Sequence, residues 1–132
     1  MPSVTNITVN DREATPVAHV YTPQTRKGDV WYWARRDGTP LGDETLTMSI
    51  VQTAGGLYKV RLRMVDPVVV TETINGISVP KIERSNFVSS EFTFSERSSL
   101  QERKNIVGKF ANAFATSQTF ILNVVQDLEG IH

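Results

Sequence analysis

Alternating apolar and polar residues fill positions 4–94, and beyond position 98 the apolar residues recur at three- and four-residue steps instead. The first period belongs to half-buried strands, the second to an amphipathic helix. "SVTNITVN" sets Val4, Asn6 and Thr8 against Thr5, Ile7 and Val9 and predicts a first strand. "NDRE" predicts a turn and "VAHVYT" the returning arm of a hairpin, which Pro23 and the polar "QTRKGD" should end. "VWYWARR" is rich in strand formers and precedes the turn-dense "DGTPLGD". "TLTMSIV" places Leu46, Met48 and Ile50 inward and Thr45, Thr47 and Ser49 outward. "QTAGG" then turns the chain into "LYKVRLRM", where Tyr58, Val60, Leu62 and Met64 oppose Lys59, Arg61 and Arg63. Asp66-Pro67 should close that strand, and "VVVTETINGISVP" predicts a two-stranded excursion with Asn75-Gly76 at its tip. In "NFVSSEFTF", Val88, Ser90, Phe92 and Phe94 face one way; Phe87, Ser89, Glu91 and Thr93 face the other.

In "SSLQERKNIVGKFANAFA" two overlapping capping boxes, Ser98 with Gln101 and Ser99 with Glu102, announce a helix. Leu100, Val107, Phe110, Ala111 and Phe114 form its apolar stripe. Thr116 and Ser117 interrupt the pattern and offer caps for a second helix, "QTFILNVVQDLEG", ended by Gly130. Strands followed by helices predict an antiparallel α+β domain. "FILNVV" is apolar on more than one side, more than a single sheet face obviously requires, which fits either burial against another subunit or a plain monomer core.

Composition narrows the function classes. A chain of 132 residues fits one domain, large enough to bury roughly two-thirds of its unfolded surface. Its 14 basic and 14 acidic side chains cancel, which argues against nucleic-acid binding through bulk charge and leaves room for a local basic face. No cysteine is present, so neither disulfides nor thiolate metal sites can form, which suits a reducing compartment. No stretch approaches the roughly 20 apolar residues of a membrane span, and "MPSVTNITVNDREATP" lacks the basic start and apolar core of a signal peptide. A soluble, non-exported protein is expected, with the initiator Met removed ahead of the small Pro2.

Catalysis has little support. His19, in the first hairpin, and His132 have no nucleophile or carboxylate at suggestive spacing and read as surface residues; Asp43 and Glu44 read as solvated turn charges. No phosphate loop, zinc spacing or nucleophile elbow occurs, so no catalytic residue, cofactor or metal is assigned. The outward face of the sheet is more informative. Three neighbouring strands present Thr47, Ser49 and Val51; Lys59, Arg61 and Arg63; and Phe87, Ser89, Glu91 and Thr93. Cations suit phosphates, hydroxyls suit base edges, and an exposed ring gives an unpaired base a stacking platform, a set that fits single-stranded or looped RNA. An ordinary solvated sheet face has the same composition, Phe87 apart.

The succession "YKVRLRMVDPVVV", "NGISVP", "RSNFVSSEFTF" and "ERKNIVGKFANAFATSQTFILNVVQDL" resembles the coat proteins of the small single-stranded RNA bacteriophages, the leviviruses. The likeness is strongest over about 38–128, and "NDREATP" resembles the branch from phages of Pseudomonas-like hosts. The resemblance implies one coat-protein domain over 1–132: a hairpin at about 3–22, a five-stranded antiparallel sheet at about 30–95 and helices at about 98–129. It further implies an interlocked homodimer with a continuous ten-stranded sheet, and a T=3 icosahedral shell around the genomic RNA. A capsid loop at about 68–80 would change conformation between five-fold and quasi-six-fold positions. Such a protein is a virion component made in the bacterial host cytoplasm, contacts no membrane and is not an enzyme.

The resemblance also implies translational repression, through an RNA stem-loop at the replicase start bound on the sheet. Matched position by position, the pocket for an unpaired adenine falls on Val30, Thr47, Ser49, Lys59 and Arg61. The stacking residue falls on Phe87 and a polar contact on Ser89; the residues of the face themselves add Arg63 to Lys59 and Arg61 as phosphate contacts. Phe87 keeps the ring of the family's usual tyrosine without its hydroxyl, Ser89 is shorter than the usual asparagine or aspartate, and Lys59 stands where one well-known member has threonine. "QTAGG" is shorter than in some members, and without cysteine no disulfide braces the capsid loops. A non-capsid RNA-binding dimeric module using the same face, and a small α+β enzyme or ligand-binding domain, are the rival readings.

Overall fold

The computed structural model describes residues 3–36 and 40–131. Met1, Pro2, His132 and the first three residues of the turn predicted at 37–43 lie outside them. The chain divides into two compact units, residues 1–93 and 94–132.

The first unit is one antiparallel sheet of six strands in chain order: β1 Ile7–Asn10, β2 Ala18–Lys27, β3 Val30–Arg35, β4 Glu44–Gln52, β5 Leu57–Ile74 and β6 Ile77–Ser95. The five-stranded expectation is therefore corrected, and the reason lies in β2. Its first half pairs with β1 (Ile7 opposite Tyr21, Asn10 opposite Ala18) and its second half with β3 (Thr22 opposite Ala34, Lys27 opposite Val30). Pro23 does not end the strand. The register shifts between Pro23 and Thr25, a bulge that accommodates a residue with no amide to donate. The chain reverses at Gly28, whose φ of 60° suits the first central position of a two-residue hairpin.

The two-stranded excursion expected over 68–80 is present, but Asp66-Pro67 does not close the strand before it. β5 runs through Asp66-Pro67 to Ile74, and β6 returns from Ile77. Asn75 (φ 51°) and Gly76 (φ 80°) form the turn between them, the two left-handed positions that an Asn-Gly pair adopts most readily. The β4–β5 turn closes through Thr53, whose backbone carbonyl accepts from Gly56 N at 3.0 Å and whose hydroxyl accepts from Leu57 N at 3.2 Å.

Alternation now sorts the faces. Trp33 lies opposite Leu46, and Leu46 opposite Met64; Trp31 lies opposite Met48, and Met48 opposite Leu62. With Tyr21 and Ile7 these side chains make the core, Tyr21 and Leu46 being 2% exposed. Trp33 keeps its indole N–H satisfied by donating to the Thr5 carbonyl at 2.9 Å. Ile50, predicted inward, is 63% exposed at the far end of that face.

The second unit contains α1 Leu100–Asn112 and α2 Thr119–Val125. Ser99 caps α1 by accepting from Glu102 N at 3.2 Å, while Ser98 instead donates to the Ser95 carbonyl at 2.7 Å. α1 stops before Phe114, which stays against Phe110 edge-on, ring centroids 5.1 Å apart. α2 is shorter than predicted. Gln118, not Thr116 or Ser117, precedes it, and the chain leaves the helix before Gly130, with Leu128 left-handed at φ 59°. Neither helix contains a buried residue. No helix among the described residues is long and apolar enough to cross a membrane.

Candidate nucleic-acid interface

The face of the sheet opposite the core carries all eight residues singled out from the sequence. Cross-strand neighbours point the same way, so two rows can be followed across the strands. Val30 on β3 lies opposite Ser49 on β4, which lies opposite Arg61 on β5. Tyr32 lies opposite Thr47, which lies opposite Arg63; Lys59 lies opposite Val51. β6 extends both rows. Arg61 donates from Nε to Glu91 Oε2 at 2.7 Å, and the Arg63 guanidinium sits over the Phe87 ring, 5.6 Å from its centroid. Ser89 lies between Phe87 and Glu91 at the two-residue spacing that keeps all three on this face.

Phe87 is 61% exposed, so its ring offers one side to solvent even with Arg63 near it. Glu91 is the hub of the charges. Besides Arg61 it has Lys59 Nζ at 4.0 Å from Oε1 and accepts from Thr93 Oγ1 at 3.5 Å. Its carboxyl is held below the ordinary glutamate value, first by the Arg61 hydrogen bond, against a smaller upward pull from desolvation. The face also includes two residues that the sequence reading did not select, Tyr32 and Lys27, whose ammonium lies 5.8 Å from the Tyr32 ring centroid. The signal was present: Tyr32 alternates with Val30 along β3, and Lys27 mirrors Val30 across the turn.

A second charged cluster lies at the foot of the N-terminal hairpin, where the reading of His19, Asp43 and Glu44 as solvated residues is corrected. His19 Nε2 is 2.7 Å from Asp11 Oδ2 and its Nδ1 is 2.8 Å from Glu44 Oε2. Arg35 Nη1 lies 3.4 Å from Glu44 Oε1, and Tyr21 donates its hydroxyl to Glu44 at 3.4 Å. Asp43 is paired with Arg36. Asp11 also accepts from the backbone of Val17 at 2.9 Å and of Glu13 at 3.2 Å, closing the loop between β1 and β2. The Val17 amide foremost, then His19, pulls its carboxyl down to about 2. The Asp11 hydrogen bond, then Glu44, raises His19, while burial pushes the Tyr21 phenol up to about 12. No spacing in the sequence announces this cluster, because its members meet from four separate segments. Among the described residues, no group of three or more histidines and carboxylates is placed to hold a metal ion.

The family model described as "Levivirus coat protein" matches residues 2–132. The chain belongs to the levivirus coat protein family. It is 34% identical over 127 residues to the capsid protein of Pseudomonas phage PRR1, covering 96% of this chain and 97% of that one. The virus-like particle of bacteriophage ESE058 has the same fold, with TM-score 0.86 and 26% identity over 99% of this chain and 100% of that one. A more distant structure, described as an unassembled virus coat protein dimer and a bacteriophage RNA-binding dimer, shares the fold at TM-score 0.59 and 10% identity. This levivirus coat protein is therefore a capsid protein, a structural and self-assembling component of the virion.

Proposed function

We propose that the sheet unit and the helical unit act as one coat-protein domain over 1–132, that two copies form a symmetric interlocked homodimer with a ten-stranded sheet, and that dimers close into a T=3 icosahedral shell around single-stranded genomic RNA. The helices support the dimer: neither contains a buried residue, and Phe110 of α1, Phe120 of α2 and Leu128 beyond it are 44%, 67% and 83% exposed in a single copy. Apolar surface of that extent is a driving force for association. The β5–β6 hairpin over 68–80, mostly exposed and hinged on Asn75-Gly76, is the segment that adapts to five-fold and quasi-six-fold positions. Synthesis takes place in the cytoplasm of the bacterial host.

The same protein binds an RNA stem-loop at the replicase start and represses its translation. The observation that carries this reading is the ring of Phe87, held on a wet sheet face beside Arg63 and in line with Lys59, Arg61, Thr47 and Ser49. An unpaired adenine stacks on Phe87; Val30, Thr47, Ser49, Lys59 and Arg61 form its pocket; Arg63 meets a phosphate and Ser89 a base edge or sugar. The dimer presents the set twice, and one stem-loop uses the two copies asymmetrically. Stacking on an aromatic is worth about 1–3 kcal/mol per base. Phe87→Ala is expected to weaken stem-loop binding about tenfold or more in a filter assay, with particles intact by electron microscopy. Equal affinity for variant and parent would remove Phe87 from the site.

A further inference from the structure

His19 stands on β2 among charges from four other segments of the sheet unit. Asp11 and Glu13 come from the loop between β1 and β2, Arg35 from β3, Glu44 from β4 and Asp66 from β5. His19 and Arg35 line an open cleft with Asp11, Glu13 and Val17, so the imidazole exchanges protons with solvent. The two ring nitrogens are placed differently. Nε2 meets the Asp11 carboxylate at 2.7 Å and needs a hydrogen to bond it. Nδ1 meets two groups, Glu44 Oε2 at 2.8 Å and Arg35 Nη1 at 2.7 Å. The carboxylate requires an N–H at that nitrogen and the guanidinium requires a lone pair. One ring nitrogen has a single in-plane direction for one or the other.

The proton on Nδ1 therefore decides which strand His19 is bonded to. We propose that His19 is a proton-operated partner switch at the foot of the N-terminal hairpin, bonded to Glu44 of β4 as an imidazolium and to Arg35 of β3 as a neutral ring. In the charged state Nδ1–H donates to Glu44 and Nε2–H to Asp11, so two charge-assisted bonds tie the β1–β2 loop through β2 to β4. Loss of the Nδ1 proton to solvent turns that nitrogen into an acceptor for Arg35. Glu44 is then left to Arg35, 3.4 Å from its Oε1, and to the Tyr21 hydroxyl, which burial keeps protonated. Nε2 keeps its hydrogen for Asp11 in both states, and that bond weakens when the ring charge goes. The fold favours the charged state: Asp11 first and then Glu44 hold the proton on, against burial and the Arg35 charge. Asp66, raised by burial first and then by Glu44, adds to the negative field around the site when ionised. Because Asp11 also accepts from the Glu13 and Val17 amides, the loop feels the change directly. His19 shares the face of Tyr21, two residues on, so the switch stands apart from the proposed RNA face.

The test titrates full-length protein labelled with 15N-histidine and follows the ring nitrogens by magic-angle-spinning NMR, with His132→Gln to assign the signals. Both His19 nitrogens should carry hydrogen at pH 5.5, and Nε2 alone at pH 9. A neutral ring with its hydrogen on Nδ1 overturns the inference. Arg35→Met, which keeps the stem and removes the charged donor, should move the titration midpoint to higher pH, and Arg35→Lys should bring it back toward the parent. A midpoint that Arg35→Met leaves in place also overturns it. Hydrogen exchange reads the consequence for the loop. The protection factors of the Glu13 and Val17 amides should fall about fivefold between pH 5.5 and 9, the scale of the difference between a charge-assisted and a neutral hydrogen bond, while that of Leu46 in the core stays constant. In His19→Gln, which has an amide but no titration, the loop amides should lose that pH dependence. The same fall in His19→Gln as in the parent, or no fall in the parent, sinks the coupling of the switch to the loop.

Discussion

At the foot of the N-terminal hairpin one histidine lies between two carboxylates, Asp11 and Glu44; on the outer face one carboxylate, Glu91, lies between two cations, Arg61 and Lys59. The chemistry is alike and the surroundings are not. His19 and Glu44 each leave 18% of the side chain exposed, whereas Arg61 leaves 62% and Glu91 40%. The foot joins the β1–β2 loop, β2, β3 and β4, segments up to 25 residues apart in contact through His19. The outer cluster joins β5 to β6, neighbours in the sheet joined by a two-residue turn. Charges that tie distant segments under partial cover contribute to folding. Charges strung across strands already paired contribute little to folding and remain available to a ligand.

The largest separation of the two should come from removing both outer cations. Lys59→Ala with Arg61→Ala is expected to lower RNA affinity at least tenfold at moderate salt and to flatten the salt slope by about 1.4, two phosphates' worth on a single strand. The unfolding free energy should stay within about 0.5 kcal/mol of the parent's, as for other exposed substitutions. A large loss of thermal stability would mean that the outer face is structural after all.

An intermediate effect is expected at the foot, and it depends on pH. His19 is raised above 6.5 in the folded protein, so its contribution to stability is complete below 6.5 and is lost as pH rises through the raised value. Asp11 is lowered from 3.8 to about 2, so its contribution is complete above 3.8 and is lost as pH falls toward 2. The clamp is strongest between these limits. His19→Ala should lower Tm by a few degrees at pH 5.5 and by less at pH 9, while RNA affinity keeps its parental value. A Tm difference that does not change between the two pH values would assign the loss to packing rather than to charge.

The smallest effect is expected at Tyr21→Phe. The ring stays in the core, and only the 3.4 Å hydrogen bond to Glu44 is removed, at a cost of about 0.5 kcal/mol in chemical denaturation. A loss several times larger would place the phenol, rather than His19, at the centre of the foot.

The sheet's two faces were legible along the chain because the two-residue period is a local property. Leu46 and Met48 point inward, Thr47 and Ser49 outward, whatever the strand pairs with. The Asn75-Gly76 turn was legible for a similar reason: few residue pairs take two left-handed conformations in succession. The run of β2 through Pro23 was not legible. A proline normally ends a strand, and only the bulge opposite β3 shows how the register absorbs it. The helix ends were overestimated because capping residues mark where a helix can begin and not where packing lets it continue.

Residue order alone determined which side chains share a face, that the period changes near position 98, and that one basic, hydroxyl-rich surface carries a phenyl ring. Tertiary structure decided the partners of the charges: His19 with Asp11 and Glu44, Arg61 with Glu91, Arg63 with Phe87. The physical reason is range. Alternation is set by the backbone of each strand by itself, while an ion pair between residues 25 or 30 apart depends on strand register and turn length together.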